Sequence, residues 1–145
     1  MILTIPVRSK LTVASTAELD AQSPYHRIGG LAVLRQITNR FYDLMEQEPE
    51  FAELRAMHGA DLAPMRDSLA SFLAGWSGGP RDWSLANPGK CMGSVHAPFA
   101  ITAVTARQWV TAMRRAIADV APQDTEMADA FATVMERMAL GMARG

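Results

Sequence analysis

Apolar residues recur at intervals of three and four in four long segments of this chain, and proline or glycine residues lie between the segments. This spacing places apolar side chains on one face of an α-helix, whereas a half-buried strand alternates apolar and polar residues. No alternating segment of convincing length occurs. The sequence therefore predicts an all-α fold of four principal helices in two antiparallel pairs, packed as layers.

The first helix is predicted from Gly30 to Glu48 and ends before Pro49, because proline disfavours helical geometry in the preceding residue. Gly78-Gly79-Pro80 is expected to stop the second helix. Capping residues are expected at the start of the last three helices, namely Asp61, Thr102 or Thr105, and Asp124. The expected buried faces are Leu34, Ile37, Phe41, Leu44 and Met45; Leu62, Met65, Leu69, Phe72, Leu73 and Trp76; Trp109, Met113, Ala116, Ile117 and Val120; and Met127, Phe131, Val134, Met138 and Met142.

Length and composition indicate one ordinary globular domain. The chain has 145 residues, of which 49% are hydrophobic and 20% charged. Its net charge is −1 with no basic run, which argues against nucleic acid as a partner. No apolar stretch approaches the ~20 residues that a membrane helix needs. Residues 1–23 are weakly patterned and read as an extension before a domain at 24–145, without a signal peptide, so a cytoplasmic location is expected.

The segment from Arg81 to Gly93 has no clear periodicity, although Asn87-Pro88-Gly89 indicates a turn. A short helix is expected before His96, which stands next to apolar residues at a corner stiffened by Pro98. Long irregular segments in compact domains are often functional. On spacing alone, His96 is either a histidine bonded to a backbone carbonyl or water, or a metal or cofactor ligand.

Six short motifs then stand in a fixed order along the chain. They are Tyr25-His26-Arg27-Ile28-Gly29-Gly30, Arg40-Phe41-Tyr42, Leu54-Arg55-Ala56-Met57-His58, Gly78-Gly79-Pro80, His96-Ala97-Pro98-Phe99-Ala100-Ile101 and Gln108-Trp109-Val110. In this order they resemble the truncated haemoglobins, and specifically group II of that family, from about Tyr25 to Leu140. The resemblance implies a two-over-two α-helical globin fold, a sandwich of four helices around a haem.

The resemblance also implies a haem b cofactor (iron protoporphyrin IX) with His96 as the proximal ligand of the iron. One imidazole nitrogen would bind the metal, and the other would hydrogen-bond to backbone or water and fix the ring. On the opposite side, the resemblance places Tyr42, Trp109 and His58. Tyr42 and Trp109 are expected to stabilise a bound gas, and His58 either joins their hydrogen-bond network or flanks the haem edge. The usual distal-histidine position falls at Met65, which cannot donate a hydrogen bond, so ligand stabilisation is expected from Tyr42 and Trp109.

The haem walls are expected to overlap with the core. The residues implied are Phe41, Met65, Leu69, Phe72, Trp83, Met92, Phe99, Ile101 and Met113. Relatives commonly carry an arginine where this chain has Val95, so Arg81 and Lys90 are the candidates for pairing with the haem propionates. Cys91, the only cysteine, allows no internal disulfide and is expected to be a buried, inert thiol rather than a redox sensor.

The function implied is binding of oxygen, and of nitric oxide or carbon monoxide, at the haem iron. A haem-free helical interaction module is the alternative without a cofactor, and two alternatives for a haem protein stay open at this point. One is a nitric oxide dioxygenase or peroxidase-like enzyme, which would need a separate reductase because no flavin or nicotinamide domain fits in this length. The other is a haem-based gas or redox sensor. Fold alone does not choose among them, and either a monomer or a homodimer is compatible with the sequence.

Overall fold

The computed structural model describes residues 22–144, with the side chain of Met92 excepted. All regular secondary structure within these residues is helical, which confirms the predicted class. Of the predicted extension, residues 1–21 lie outside the described residues, and the boundary after residue 23 stays a prediction. The helices are α1 (Pro24–Ile28), α2 (Gly30–Gln47), α3 (Ala52–Ala56), α4 (Ala63–Trp76), α5 (Asp82–Ala86), α6 (Met92–His96), α7 (Ala103–Val120) and α8 (Thr125–Gly141), with a 3-10 turn at Pro49–Phe51 before α3.

The four long helices α2, α4, α7 and α8 are the four predicted from periodicity. Helix α2 packs against both α4 and α7, and α7 packs against α8. In the first pair, Arg66 near the start of α4 bonds to Asp43 in the second half of α2, so the two helices are antiparallel. In the second pair, Arg114 of α7 bonds to Glu136 of α8 across a short connection, again in antiparallel order.

The helix boundaries follow local backbone chemistry. Helix α2 ends one residue earlier than predicted, because Glu48 is already extended before Pro49. Asp61 accepts a hydrogen bond from the backbone N–H of Ala63 at 3.0 Å, so it supports the start of α4 although Leu62 occupies the cap position. Both threonines expected at the start of α7 act together, since Thr102 and Thr105 form a reciprocal capping box. Asp124 caps α8 as predicted.

Two buried faces are rotated from the predicted ones because alanines form much of them. The core side of α4 consists of Ala70, Leu73 and Ala74, while Met65 and Trp76, predicted to be buried, are 40% and 38% exposed. In α8 the buried residues are Ala128, Phe131, Ala132 and Met135, whereas Val134 is 39% exposed. Small side chains allow helices to approach closely, but they contribute little to an apolar stripe read from the sequence.

The segment between α4 and α7 contains only short helices. The turn predicted at Asn87-Pro88-Gly89 is present, with the N–H of Lys90 donating to the carbonyl of Asn87 at 3.2 Å. Helix α6 follows and ends at His96, as predicted. Cys91 lies at its start and is exposed, so the prediction of a buried thiol is wrong. Across residues 22–144, no helix combines the length and apolarity that crossing a membrane requires.

Candidate functional site

Four rings from three parts of the chain form a continuous row, called here the aromatic row: Trp109, Phe41, Tyr42 and His58. Phe41 is fully buried, with ring centroids 5.3 Å from Trp109 and 4.9 Å from Tyr42. Tyr42 also meets His58 in a T-shaped contact, with the ring centroids 6.0 Å apart. The structure therefore brings together the three residues that the resemblance assigns to the ligand side, with Phe41 between two of them.

The row presents two hydrogen-bond donors that the rest of the described chain does not use. Neither the hydroxyl of Tyr42 nor the indole nitrogen of Trp109 has a hydrogen-bond partner within residues 22–144. No described side-chain N or O atom that is sealed from solvent lacks a partner, so both donors face accessible space. Burial raises the pKa of Tyr42 to about 12, partly opposed by the charge of Arg66, so its hydroxyl keeps its proton at neutral pH.

His58 is held by the backbone of its own corner. Its Nδ1 lies 2.9 Å from the carbonyl oxygen of Leu54. The guanidinium of Arg55 donates to the carbonyls of Gly59 and Ala60, at 2.9 and 3.0 Å, and so fixes the loop that follows. Burial lowers the pKa of His58, against the opposing effect of the Leu54 carbonyl, and the ring is therefore neutral at pH 7.

The α3 corner is also tied to α7. The N–H of Leu54 donates to Oε1 of Gln108 at 3.0 Å, one residue before Trp109. Leu54 and Gln108 stand inside the quoted motifs, but the sequence assigned no role to either. Their contact spans 54 positions, and no local pattern reports such a contact.

His96 lies at the end of α6 and is half-buried. A capping box between Cys91 and Ser94 begins this helix, and the N–H of Phe99 donates to the carbonyl of His96 at 3.0 Å where it turns away. The charge of His96 contributes, after burial and Arg55, to lowering the pKa of His58. The two histidines are therefore within electrostatic range although α4 and α5 separate them in the sequence.

The apolar residues predicted to line the haem fall into two groups. Phe41 and Met113 are core residues, 0% and 1% exposed. The others leave apolar surface accessible: Met65 and Phe99 are exposed, and Leu69, Phe72, Trp83 and Ile101 are half-buried. Met65, Leu69 and Phe72 lie on one face of α4, and Phe72 meets Trp83 edge to face at 5.2 Å. Nothing is described for the side chain of Met92.

Arg81 and Lys90, the two propionate candidates, are both exposed and lie on either side of α5. Neither forms an ion pair with another described residue. A separate cavity of about 250 Å³ contains none of the predicted site residues, since it is lined by Glu50, Phe51, Val104, Arg107, Gln108 and Thr111. Residues 22–144 contain no group of three or more His, Cys, Asp and Glu side chains that could hold a metal ion together.

Comparison with known proteins places this arrangement in context. Residues 23–144 match the model of the bacterial-like globins. The fold is similar to that of a group II 2-on-2 haemoglobin from Agrobacterium tumefaciens, at 30% identity and a TM-score of 0.79 over 84% of this chain and 94% of that one. It is also similar to a cold-adapted truncated haemoglobin from Pseudoalteromonas haloplanktis, at 27% identity and a TM-score of 0.80 over 86% and 99% of the two chains. A truncated oxygen-avid haemoglobin from Bacillus subtilis matches at 25% identity and a TM-score of 0.76 over 85% and 100%.

Proposed function

Because the chain belongs to the bacterial-like globin family, as a truncated haemoglobin of group II, we propose that it holds haem b through His96 and binds oxygen beside Tyr42 and Trp109. When bound, the haem would supply an iron atom that can take up a diatomic gas. A family of this kind also binds nitric oxide and carbon monoxide, which we include among the expected ligands. The chain's own residues determine how the cofactor is held and which gas is retained.

The described residues fit a haem in three respects. The half-buried imidazole of His96 is a suitable nitrogen ligand for iron. Exposed or half-buried apolar side chains on α4, on α5 and after α6 offer the kind of surface that a porphyrin covers: Met65, Leu69, Phe72, Trp83, Phe99 and Ile101. Removing this apolar area from water would favour binding by roughly 25 cal/mol per Å². Exposed Arg81 and Lys90 are available as cations for the two propionates.

One observation carries the assignment of the gas: two neutral donors, the Tyr42 hydroxyl and the Trp109 indole N–H, have no hydrogen-bond partner within residues 22–144 and face accessible space. Bound oxygen carries partial negative charge, whereas carbon monoxide carries much less. Hydrogen bonds from the two donors would therefore retain oxygen selectively, by about 1 kcal/mol each and ~3 kcal/mol when charge-assisted. The description of the Bacillus subtilis protein as oxygen-avid is consistent with this chemistry.

The proposed iron ligand is tested by replacing His96 with alanine. We expect His96→Ala to lose most of its haem or to lose the iron–histidine stretching band from the resonance Raman spectrum of the ferrous form. His26→Ala is the matched control, because His26 is exposed and its ring bonds to Ser23 and meets the neighbouring Tyr25 edge to face. Pyridine haemochrome spectra measure haem content and identify haem b. A His96→Ala variant with the haem content and ferrous spectrum of the wild type would contradict the assignment.

Propionate pairing is tested separately. Arg81→Gln and Lys90→Gln each remove one exposed cation near the irregular segment. If either side chain holds a propionate, the variant should transfer haem to an excess of apomyoglobin faster than the wild type, and high salt should reduce the difference. Arg137→Gln, an exposed arginine on α8, is the control. Equal rates of haem transfer in the wild type and the three variants would exclude Arg81 and Lys90 as partners of the propionates.

A further inference from the structure

The guanidinium of Arg66 lies between the first turns of α4 and the second half of α2. Its Nη1 donates to the backbone carbonyl of Asn39 at 2.8 Å. Its Nη2 donates to Asp43 at 2.8 Å and to Glu46 at 3.2 Å. These three acceptors surround the turn of α2 that carries Tyr42, so one side chain fixes α4 to that turn.

Arg66 also lies over the ring of Tyr42, with its guanidinium carbon 6.0 Å from the ring centroid. A cation at this distance from the face of an aromatic ring is attracted to it. The Arg66 side chain is 22% exposed, against 36–40% for the other arginines that form ion pairs among the described residues. Its charge is consequently screened less by water than theirs.

The nearby charge acts on the Tyr42 hydroxyl. Arg66 lowers the pKa of Tyr42 against the larger, opposite effect of burial. A positive charge that favours the phenolate also polarises the O–H bond, which makes the hydroxyl a stronger hydrogen-bond donor. Since no residue within 22–144 accepts from this hydroxyl, the added donor strength is available to a ligand.

We propose that Arg66 is a positioning residue for ligand retention, which holds the Tyr42 ring and strengthens the hydrogen bond that its hydroxyl donates to a bound gas. The inference rests on the proposed function, since it requires a gas ligand next to Tyr42. It adds a residue outside the aromatic row that controls affinity through Tyr42. Arg66 touches neither the ligand nor the cofactor in this role.

The test measures the stretching frequency of bound carbon monoxide in the ferrous holoprotein, which falls when a donor or positive charge lies near the ligand oxygen. We expect Arg66→Met to raise this frequency and to speed oxygen dissociation by about two- to tenfold, the range that corresponds to a cation–π contact. Arg66→Lys retains the charge and should recover part of both changes. Arg114→Met is the matched control, because Arg114 pairs with Glu136 at the same 2.8 Å, in the α7–α8 pair.

Two further variants separate an effect through Tyr42 from general loosening of the fold. In a Tyr42→Phe background, Arg66→Met should leave the carbon monoxide frequency and the oxygen dissociation rate unchanged. Glu46→Gln removes one neutralising carboxylate while Asn39 and Asp43 still hold the guanidinium, so it should shift the frequency in the opposite direction.

The inference is overturned if Arg66→Met causes the same change with and without the Tyr42 hydroxyl, or no change beyond that of Arg114→Met. If Arg66→Met fails to fold, an unshifted or raised frequency in Glu46→Gln overturns it instead. These outcomes are distinct from failure of the proposed function. If the proposed function itself is wrong, the wild type would show no Soret band and no carbon monoxide complex.

Discussion

The Nδ1 of His58 lies 2.9 Å from the carbonyl oxygen of Leu54, and this contact determines which ring nitrogen carries the proton. A carbonyl oxygen only accepts, so Nδ1 must donate. The neutral ring then has its lone pair on Nε2. His58 is consequently an acceptor at the end of the aromatic row, while Tyr42 and Trp109 are donors. A neutral His58 in this tautomer cannot donate a hydrogen bond to a gas ligand.

This assignment predicts the protonation behaviour of His58. Two-bond ¹H–¹⁵N correlation spectra of the carbon monoxide form should show the Nδ1–H tautomer at neutral pH, with a pKa below the ordinary 6.5 because burial disfavours the charged ring. The unfolded chain binds the proton more readily, so the contribution of His58 to stability is complete above 6.5 and is lost as the pH falls through the lower pKa of the folded state. His58→Phe should lose less stability than the wild type between about pH 7.5 and about pH 5.5. An Nε2–H tautomer would contradict the prediction.

Substitution of the two donors should release oxygen faster. Tyr42→Phe and Trp109→Phe each remove one hydrogen bond and keep an aromatic ring in the row. A loss of about 1 kcal/mol corresponds to roughly fivefold faster dissociation, and ~3 kcal/mol to more than a hundredfold. Stopped-flow replacement of oxygen by carbon monoxide measures the rates, with Tyr25→Phe and Trp76→Phe as matched controls outside the row. Unchanged rates in both variants would mean that these donors do not reach the ligand.

The raised pKa of Tyr42 gives an expectation for alkaline solution. Because the hydroxyl keeps its proton up to about 12, oxygen dissociation should not change between neutral pH and pH 10. In the unfolded chain Tyr42 ionises near the ordinary tyrosine pKa of 10.0, so its contribution to stability is complete below that value and is lost between 10.0 and about 12. Denaturant titrations across this pH range should show that Tyr42→Phe loses less unfolding free energy than the wild type as the pH rises. A dissociation rate that rises with a midpoint near 10.0, the ordinary pKa of tyrosine, would indicate that the phenol is not buried as described.

The sequence predicted most of what depends on neighbouring residues. The four long helices, the capping residues and the short helix before His96 follow from local chemistry, and the structure contains them. It did not predict the faces lined by alanine, because Ala70 and Ala74 carry little apolar weight. The sequence also did not indicate the contacts of Arg66, because its partners on α2 lie 20 to 27 positions away on an antiparallel helix. The grouping of Tyr42, His58 and Trp109 was expected from the resemblance to a family, whereas the place of Phe41 between Tyr42 and Trp109 depends on how α2 packs against α7.

Gly79 follows the end of α4 and lies against the ring of Tyr25 in α1. A Cβ atom at Gly79 would lie 2.5–2.7 Å from three ring carbons of Tyr25, and its backbone is not in the left-handed region, so only the clash opposes a side chain there. The Tyr25 ring is not free to move, because its hydroxyl accepts from the N–H of Leu31 at 3.1 Å and its own N–H donates to the carbonyl of Ser77 at 3.0 Å. Gly79→Ala should therefore cost about 1–3 kcal/mol of unfolding free energy in urea titrations. Gly59→Ala, with no atom within 4 Å of its Cβ, should change stability by no more than about 0.5 kcal/mol. In a Tyr25→Ala background the cost of Gly79→Ala should disappear, and a cost that persists there would show that the ring is not its cause.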